Sequence, residues 1–238
     1  MVPLIVIRPE PGNGATVAAA RAAGITAHGF PLFRITPRQW EATPAESPAE
    51  RYDAVLIGSA NAVRHGGPNL AALRALPVYA VGDATAAAAR AAGFTIVHAG
   101  SGGLQAVLGQ LAPAHKRLLR LAGEERIALS LPPGVRMDER IVYASEPQPF
   151  PPELTELLRF PAIVAAHSAE AARHLAAQCV RHGIRRAPLR IAALGPRIAQ
   201  AAGEGWGEVA TASAANDHAL LALARQMCQD PGPTGRIR

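Results

Sequence analysis

The sequence VYAVGDATAAAARAAGF occupies residues 78–94 and joins a short apolar run to an alanine-rich segment through Gly82. The apolar start and the alanines that follow are typical of a buried strand leading into a helix. The same pattern returns at residues 190–206 as RIAALGPRIAQAAGEGW, with Gly195 at the junction. We therefore expect one strand–glycine–helix unit to occur twice in this chain.

A longer repeat contains these two segments. An apolar strand that ends in serine occurs as VLIGSANAV and again as IVAAHSAEAA, which places Ser59 opposite Ser168. Ser101 and Ser213 are predicted to cap corresponding helices further along. Because the segments that precede these blocks also resemble each other, the pattern is an A–B–A–B duplication. Continuous apolar strands that alternate with amphipathic helices predict an α/β fold with parallel sheets covered on both faces.

Proline-rich stretches mark the predicted domain boundaries. Cutting the chain there predicts a discontinuous α/β domain made of residues 1–36 and 148–229, and a continuous α/β domain at residues 38–145. Two chain segments then connect two similar lobes, and we expect a cleft between them. The last residues, 230–238, are predicted to form a disordered tail.

Composition narrows the functional class. The formal net charge of +6 favours an anionic partner. Scattered arginines and an aromatic content of 4% nevertheless argue against a nucleic-acid partner. The longest apolar runs, such as LIVI at 4–7, are too short to cross a bilayer, and Met1 leads directly into a strand without a signal peptide. We therefore expect a cytoplasmic protein without a membrane partner.

Sequence patterns for metals and nucleotides are not found. The eight histidines show neither HxxxH nor HxH spacing, and Cys179 and Cys228 lack metal-ligand spacing. We therefore expect no metal and two reduced cysteines. GSGG at 100–103 matches neither the phosphate-binding nor the dinucleotide-binding fingerprint. Glu124 and Glu125 are interpreted as the solvated start of a helix rather than as an acid–base pair.

The repeated strand–helix junctions are the candidate ligand-binding positions. Ligands of parallel α/β sheets bind at the carboxyl ends of the strands, where helix N-termini present free N–H groups to anions. For the hydroxyl of Ser59, Thr85 or Ser168 taken alone, helix capping is the simpler interpretation. The recurrence of such residues in both halves of the chain nevertheless favours a shared ligand surface. The predicted binding residues are Arg8, Pro9, Ser59, Ala60, Asn61, Gly82, Asp83, Thr85, Ser168, Ala169, Gly195, Pro196 and Arg197.

Tyr143 is the candidate catalytic residue. It lies in IVYASEP at 141–147, at the end of the strand that leads into the second linker, where its hydroxyl could point into the cleft. A tyrosine hydroxyl is protonated at neutral pH and can donate a hydrogen bond. Simple packing of the ring at the hinge is an equally open interpretation.

Taken together, these motifs resemble the uroporphyrinogen-III synthase family. The resemblance covers nearly the whole chain, and the order of the motifs is more specific than any one of them. The motifs are Arg8-Pro9 after the first strand, YDAVLIGSANAV at 52–63, VYAVGDATA at 78–86, IVYASEP at 141–147 and LGPRIAQAA at 194–202.

This resemblance implies two flavodoxin-like lobes of parallel sheet, joined by a two-stranded linker, with the active site in the cleft between them. It implies a monomeric cyclising lyase of tetrapyrrole and haem biosynthesis, without metal or organic cofactor. Its substrate would be hydroxymethylbilane, a linear tetrapyrrole with many carboxylates. The product would be uroporphyrinogen III, formed through an azafulvene and a spiro intermediate that inverts the last pyrrole ring. Tyr143 matches the family tyrosine that helps the terminal hydroxyl leave.

The sequence departs from the family pattern at three positions. Gly58 and His167 stand where a threonine would precede the serine, and Ile198 stands where a threonine would follow the second glycine. These changes affect individual contacts, because backbone N–H groups survive substitution. The alternative function is a non-catalytic two-lobed binding protein for an anionic small molecule, which would give Tyr143 no required role. A nucleotide-dependent transferase is a third class, but the sequence lacks its glycine-rich fingerprint.

Overall fold

The structure is a computed structural model that describes residues 2–41, 51–100 and 102–229. Part of the first predicted linker (42–50), the predicted cap Ser101 and the predicted tail (230–238) lie outside the described residues. The strands are β1 (Leu4–Val6), β2 (Ala27–Gly29), β3 (Phe33–Pro37), β4 (Ala54–Ile57), β5 (Pro77–Val81), β6 (Thr95–Gly100), β7 (Arg117–Gly123), β8 (Arg136–Pro147), β9 (Ala162–Ala166), β10 (Leu189–Ala193) and β11 (Glu208–Thr211). The helices are α1 (Gly12–Ala22), α2 (Ala60–Arg64), α3 (Asp83–Ala91), α4 (Leu104–Leu108), α5 (Pro152–Leu157), α6 (Ala169–Arg181), α7 (Pro196–Ala202) and α8 (Asp217–Gln229), with a 3₁₀ turn at Pro68–Leu73.

The described chain forms two compact units, each with its own sheet. The first unit takes the residues up to Arg34 together with those from Pro147 onward. The second unit is the continuous segment Ile35–Glu146.

The first unit is built on a parallel five-stranded sheet in the order β11-β10-β9-β1-β2. Its strands β9 (AIVAA) and β10 (LRIAA) are buried at every residue, as strands between two helical layers must be, and all their residues except Arg190 are apolar. Helices α5, α6 and α7 cover one face, where Leu154 and Leu175 pack on the sheet. Helices α1 and α8 cover the other face, where Val17 and Leu220 pack on it.

The second unit has a six-stranded sheet in the order β3-β8-β7-β4-β5-β6, and the pairs from β8 to β6 are all parallel. Helices α2 and α3 cover one face through Val63 and Ala86. On the other face lies α4, whose Leu108 is buried. The parallel α/β fold predicted from the alternating apolar strands is therefore confirmed in both units.

The two sheets have the same strand order once the sequence blocks are matched. Strands β9, β10 and β11 occupy the places of β4, β5 and β6, while β1 and β2 occupy those of β7 and β8. This correspondence confirms the duplication predicted from the Ser59 and Ser168 segments. The blocks follow each other in opposite chain order in the two units, so one unit is a circular permutation of the other.

The segment between β7 and β8 contains no helix, so the interpretation of Glu124 and Glu125 as a helix start is wrong. Residues 124–135 instead form an irregular loop, whose Ile127 carbonyl accepts a hydrogen bond from Arg120 Nη1 at 3.0 Å. Adjacent prolines at 132 and 133 remove backbone donors that a helix would need. Tertiary contacts with the sheet therefore replace local helix formation in this segment.

Two further predicted elements differ in detail. The strand predicted at 26–37 is divided into β2 and β3, and the intervening residues include Pro31, which has no N–H for a ladder. Helix α8 is capped by Asn216 instead of Ser213, since the Ala219 N–H donates to Asn216 Oδ1 at 2.9 Å. Asparagine is among the strongest N-cap residues, and it lies directly before the first helical turn.

The buried side chain of Asn13 connects α1 to the end of β1 and to the loop that follows it. Asn13 Nδ2 donates to the carbonyl oxygens of Val6 at 2.8 Å and Arg8 at 3.0 Å. Its Oδ1 lies so close to Gly29 that a Cβ there would collide with it. A side chain at residue 29 would therefore displace a buried amide whose nitrogen makes two hydrogen bonds.

We expect Gly29→Ala to lower the free energy of unfolding by about 2 kcal/mol, because it overpacks the site and disturbs the two hydrogen bonds of the Asn13 amide. Gly14→Ala is the matched control. A Cβ at residue 14 would lie 3.4 Å from its nearest neighbour, Glu10 Oε2, in α1, so this change should stabilise the protein by up to about 1 kcal/mol. Urea unfolding followed by circular dichroism measures both. Equal midpoints for Gly29→Ala and the parent chain would contradict the packing described.

Candidate functional site

The predicted binding residues of the first unit lie along one edge of its sheet. Neighbouring strands are parallel, so the loops after β1, β9 and β10 leave from the same edge. The residues at this edge are Arg8 and Pro9 after β1, Ser168 and Ala169 after β9, and Gly195, Pro196 and Arg197 after β10.

The second unit repeats this arrangement on its own sheet. Strands β4, β5, β7 and β8 are parallel and end at one edge. Asp83 is exposed at the start of α3, whereas Thr85, with 5% of its surface exposed, is buried in the first turn. The predicted residues of this unit are Ser59, Ala60 and Asn61 after β4, Gly82, Asp83 and Thr85 after β5, and Tyr143 within β8.

Ser59 and Ser168 cap their helices in the same manner. Ser59 Oγ accepts a hydrogen bond from the Asn61 N–H at 3.2 Å, and Ser168 Oγ accepts one from the Ala171 N–H at 3.1 Å. The capping interpretation is therefore confirmed for both serines. Since a cap uses a lone pair on the oxygen, each hydroxyl hydrogen stays available to donate to a ligand.

Gly82 and Gly195 occupy matching places but differ in backbone conformation. Gly82 has a φ of 77°, which glycine adopts more readily than any other residue. Gly195 has a φ of −166°, an extended conformation open to every residue. A Cβ at either position would meet no heavy atom within 4 Å, so both junctions have open space above the backbone. The backbone therefore requires glycine at 82 but not at 195.

Arg8 is held by a carboxylate of the chain itself. Its Nη1 donates to Asp217 Oδ2 at 2.8 Å and to Oδ1 at 2.9 Å. The Thr16 hydroxyl lies 2.8 Å from the same Oδ2. Asp217 is the first residue of α8, where a negative charge interacts favourably with the helix dipole. No local sequence pattern connects Asp217 or Thr16 with Arg8, so neither residue could be predicted as part of the site from the sequence.

His167 completes this cluster. Its side chain is 7% exposed, and its Nε2 lies 3.3 Å from Asp217 Oδ1. No described residue forms a well-aligned hydrogen bond with either ring nitrogen. The His167 ring, the Thr16 hydroxyl and the Arg8 guanidinium together lower the pKa of Asp217 to about 2, against the opposing effect of burial. The carboxylate is therefore ionised at neutral pH and fixes the position of Arg8.

Arg8 keeps further donors for a ligand. Within residues 2–41, 51–100 and 102–229, no acceptor bonds to its Nε or Nη2. The guanidinium lies over Gly12 at the start of α1, where a Cβ would come within 2.5 Å of Nε. An anion at this edge would thus meet a cation whose orientation is already set by Asp217.

The Tyr143 hydroxyl is also free to donate. The residue is half-buried in β8, and its ring packs against the core between the second sheet and its helices. Across the described part of the chain, no group accepts from or donates to the hydroxyl. Its proton is therefore available for a bound substrate.

The two cysteines are not candidates for nucleophilic catalysis. Cys179 and Cys228 are free, and burial raises the pKa of both thiols, that of Cys179 to about 11. Neither is an ionised nucleophile at neutral pH. In the ranges that the structure describes, no three His, Cys, Asp or Glu side chains are grouped to hold a metal, and no helix is long and apolar enough to cross a membrane.

The lowered pKa of Asp217 predicts a pH-dependent contribution to stability. A carboxylate whose pKa falls from about 3.9 in the unfolded chain to about 2 in the folded protein stabilises the fold above pH 4. This contribution is lost as the pH falls through 2. We expect Asp217→Asn to destabilise the protein by about 1 kcal/mol at pH 7, a low value because the side chain is 42% exposed. The difference should shrink as the pH falls from 4 to 2.

Urea unfolding across this pH range measures the effect. Glu156→Gln is the control, since it removes an exposed ion pair with Arg159 at 3.5 Å and should change stability by less than about 0.5 kcal/mol. A penalty for Asp217→Asn that stays constant down to pH 2 would contradict the predicted linkage.

Comparison with known proteins identifies the family. The family model described as Uroporphyrinogen-III synthase HemD matches residues 14–222. The uroporphyrinogen-III synthetase of Helicobacter pylori has a similar structure, with a TM-score of 0.65 at 15% identity over 95% of this chain and 100% of that one. A mutant uroporphyrinogen III synthase of Thermus thermophilus has a TM-score of 0.55 at 18% identity, over 96% and 100%. No curated protein matches the chain by sequence. The structural likenesses show the fold, and the family model spans most of the sequence: the chain belongs to the uroporphyrinogen-III synthase family, lyases of tetrapyrrole biosynthesis.

Proposed function

We propose that the chain closes hydroxymethylbilane to uroporphyrinogen III and inverts the last pyrrole ring as it does so. The family match over residues 14–222 is the observation that carries this proposal. Further support comes from the two sheet edges, each of which combines helix starts, open glycine junctions and free hydroxyl donors. Such edges suit a flexible substrate that carries many carboxylates.

In the first unit, we assign Arg8 and Ser168 to substrate carboxylates. Arg8 would donate from Nε and Nη2, since Nη1 is held by Asp217. The Ser168 hydroxyl would donate while its oxygen still caps α6. The net charge of +6 would attract the polyanion to the protein. The other proposed binding residues of these loops are Pro9, Ala169, Gly195, Pro196 and Arg197.

In the second unit, Ser59 would act as Ser168 does. The first N–H groups of α3, after the open junction at Gly82, would receive a further carboxylate. Asp83 and the buried Thr85 would contribute through their backbone, because a carboxylate side chain repels an anion and a buried hydroxyl cannot reach one. The other proposed binding residues of the second unit are Ala60 and Asn61.

Tyr143 would assist the first chemical step. In that step the bond between the terminal CH₂ and its hydroxyl oxygen breaks, while the pyrrole nitrogen supplies the electron pair and loses its N–H proton, which gives the neutral azafulvene. The leaving oxygen departs as water when it gains a proton, and the free Tyr143 hydroxyl can donate a hydrogen bond or that proton. The azafulvene carbon is then attacked by the substituted carbon of the last ring, which gives the spiro intermediate. Inversion of that ring and closure of the macrocycle follow.

Most of the catalysis would come from positioning. The linear substrate can close in two ways, and carboxylates held along fixed loops favour the closure that inverts the last ring. In this proposal, the enzyme uses no metal or organic cofactor. It is a monomer and works in the cytoplasm.

The activity is tested with enzymatically generated hydroxymethylbilane. The products are oxidised to porphyrins, and the type I and type III isomers are separated by chromatography. We expect the type III isomer in excess over a control without protein. Only the type I isomer, in the amount of that control, would overturn the proposal and would leave the non-catalytic binding protein as the alternative.

Tyr143→Phe tests the role of the hydroxyl. We expect the turnover number to fall by roughly tenfold to a hundredfold, because a donor to the leaving oxygen is lost. Stability should change by less than about 1 kcal/mol, since the free hydroxyl makes no hydrogen bond to a described residue. Initial rates and thermal unfolding measure the two effects. An unchanged rate in a fully folded variant would reduce Tyr143 to a packing residue.

A further inference from the structure

We infer that Gly123 is a positioning residue for Tyr143: its missing side chain, together with a bulge in β8, sets where the tyrosine hydroxyl lies. This inference rests on the proposed function, because it concerns the hydroxyl that the first chemical step would use. Gly123 is the last residue of β7 and would not itself touch the substrate.

The first part of the evidence is the register between β7 and β8. Ala122 pairs with Ile141, but the next residue of β7, Gly123, pairs with Tyr143. Val142 is therefore an extra residue, and the register shift between Ala122 and Gly123 is a bulge. Bulges of this kind change the direction in which a side chain points.

The bulge places two successive side chains on the same side of the sheet. Val142 is a buried member of the core that α2 and α3 cover, and Tyr143 packs against that same core. Successive residues of a regular strand point to opposite faces. Without the bulge, Tyr143 would therefore point to the other face of the sheet, and its hydroxyl would be lost from this edge.

Gly123 supplies the space into which the tyrosine ring turns. A Cβ at residue 123 would lie 2.7 Å from Tyr143 Cζ and 2.9 Å from Oη, closer than nonbonded carbon and oxygen atoms approach. Gly123 is absent from the glycines with positive φ, so its backbone suits any residue. Glycine is therefore needed here for the space that it leaves and not for its conformational freedom.

The main chain beneath the ring is fixed. The Glu124 N–H donates to the Tyr143 carbonyl at 2.9 Å, which joins the two strands immediately beyond the glycine. A new side chain at residue 123 must consequently be accommodated by rotation of the tyrosine ring. Because the ring is half-buried, it can move outward without unfolding the sheet, and the hydroxyl moves with it.

Gly123→Ala in the full chain tests the inference. We expect the turnover number to fall about tenfold, at the lower end of the range expected for Tyr143→Phe, while KM stays within about twofold. In the Tyr143→Phe background, Gly123→Ala should cause no further loss beyond about twofold, since no hydroxyl remains to be displaced. A merely structural role would lower the rate by the same factor in both backgrounds, and that result would overturn the inference.

Gly100→Ala serves as the matched control. It is also a strand-end glycine of the second unit, and its Cβ would lie 2.8 Å from His98 Nε2 and 2.9 Å from Val107 Cγ2, so the atoms that it would overlap do not belong to Tyr143. We expect its turnover number to stay within about twofold of the parent enzyme. A loss as large as that of Gly123→Ala would show a general effect of overpacking and would overturn the inference.

The outcomes separate the inference from the proposed function. If the parent chain makes no type III isomer, the proposed function fails. If the parent is active and Tyr143→Phe is impaired but Gly123→Ala matches the parent rate, only the role of Gly123 fails.

Discussion

Parallel strand pairing is the constraint on which the rest of the structure depends. The connection between two parallel strands must return over a face of the sheet, so both faces become covered and the central strands become mainly apolar. Strands β9 and β10 are buried at every residue, and Arg190 is their one charged residue. The same constraint makes the parallel strands of each sheet end at one edge. Ser168 and Gly195 in one unit, and Ser59 and Gly82 in the other, are neighbours of one another for this reason.

Much of this arrangement could be predicted from local sequence. The apolar runs, the serine caps and the strand–glycine–helix junctions each lie within about ten residues, the range over which periodicity and capping preferences act. The sequence repeat also predicts which strands of the two sheets correspond, because repeated patterns are expected to occupy equivalent positions. Gly82 and Gly195 show the limit of that reasoning, since these two equivalent glycines have different backbone conformations.

The remaining features depend on contacts between distant segments. Asp217 orients Arg8 from the other end of the first unit, and nothing around either residue indicates the other. The bulge beside Gly123 appears only in the register of two strands. The loop at 124–135 contains residues that suit a helix locally, yet the contacts of Ile127 with Arg120 and the two prolines decide otherwise. Apart from the two prolines, these determinants are contacts that no local sequence pattern indicates.

The opposite order of the blocks in the two units affects the nascent chain. Strands β3 to β8 are synthesised consecutively, so the second sheet is complete before β9 has been made. Strand β1 needs both β2 and β9 as neighbours, and until β9 follows it presents an unpaired apolar edge. Such edges bind other chains readily. The first unit is consequently the part of the newly made protein that most needs protection from aggregation, although β1 and β2 begin the sequence.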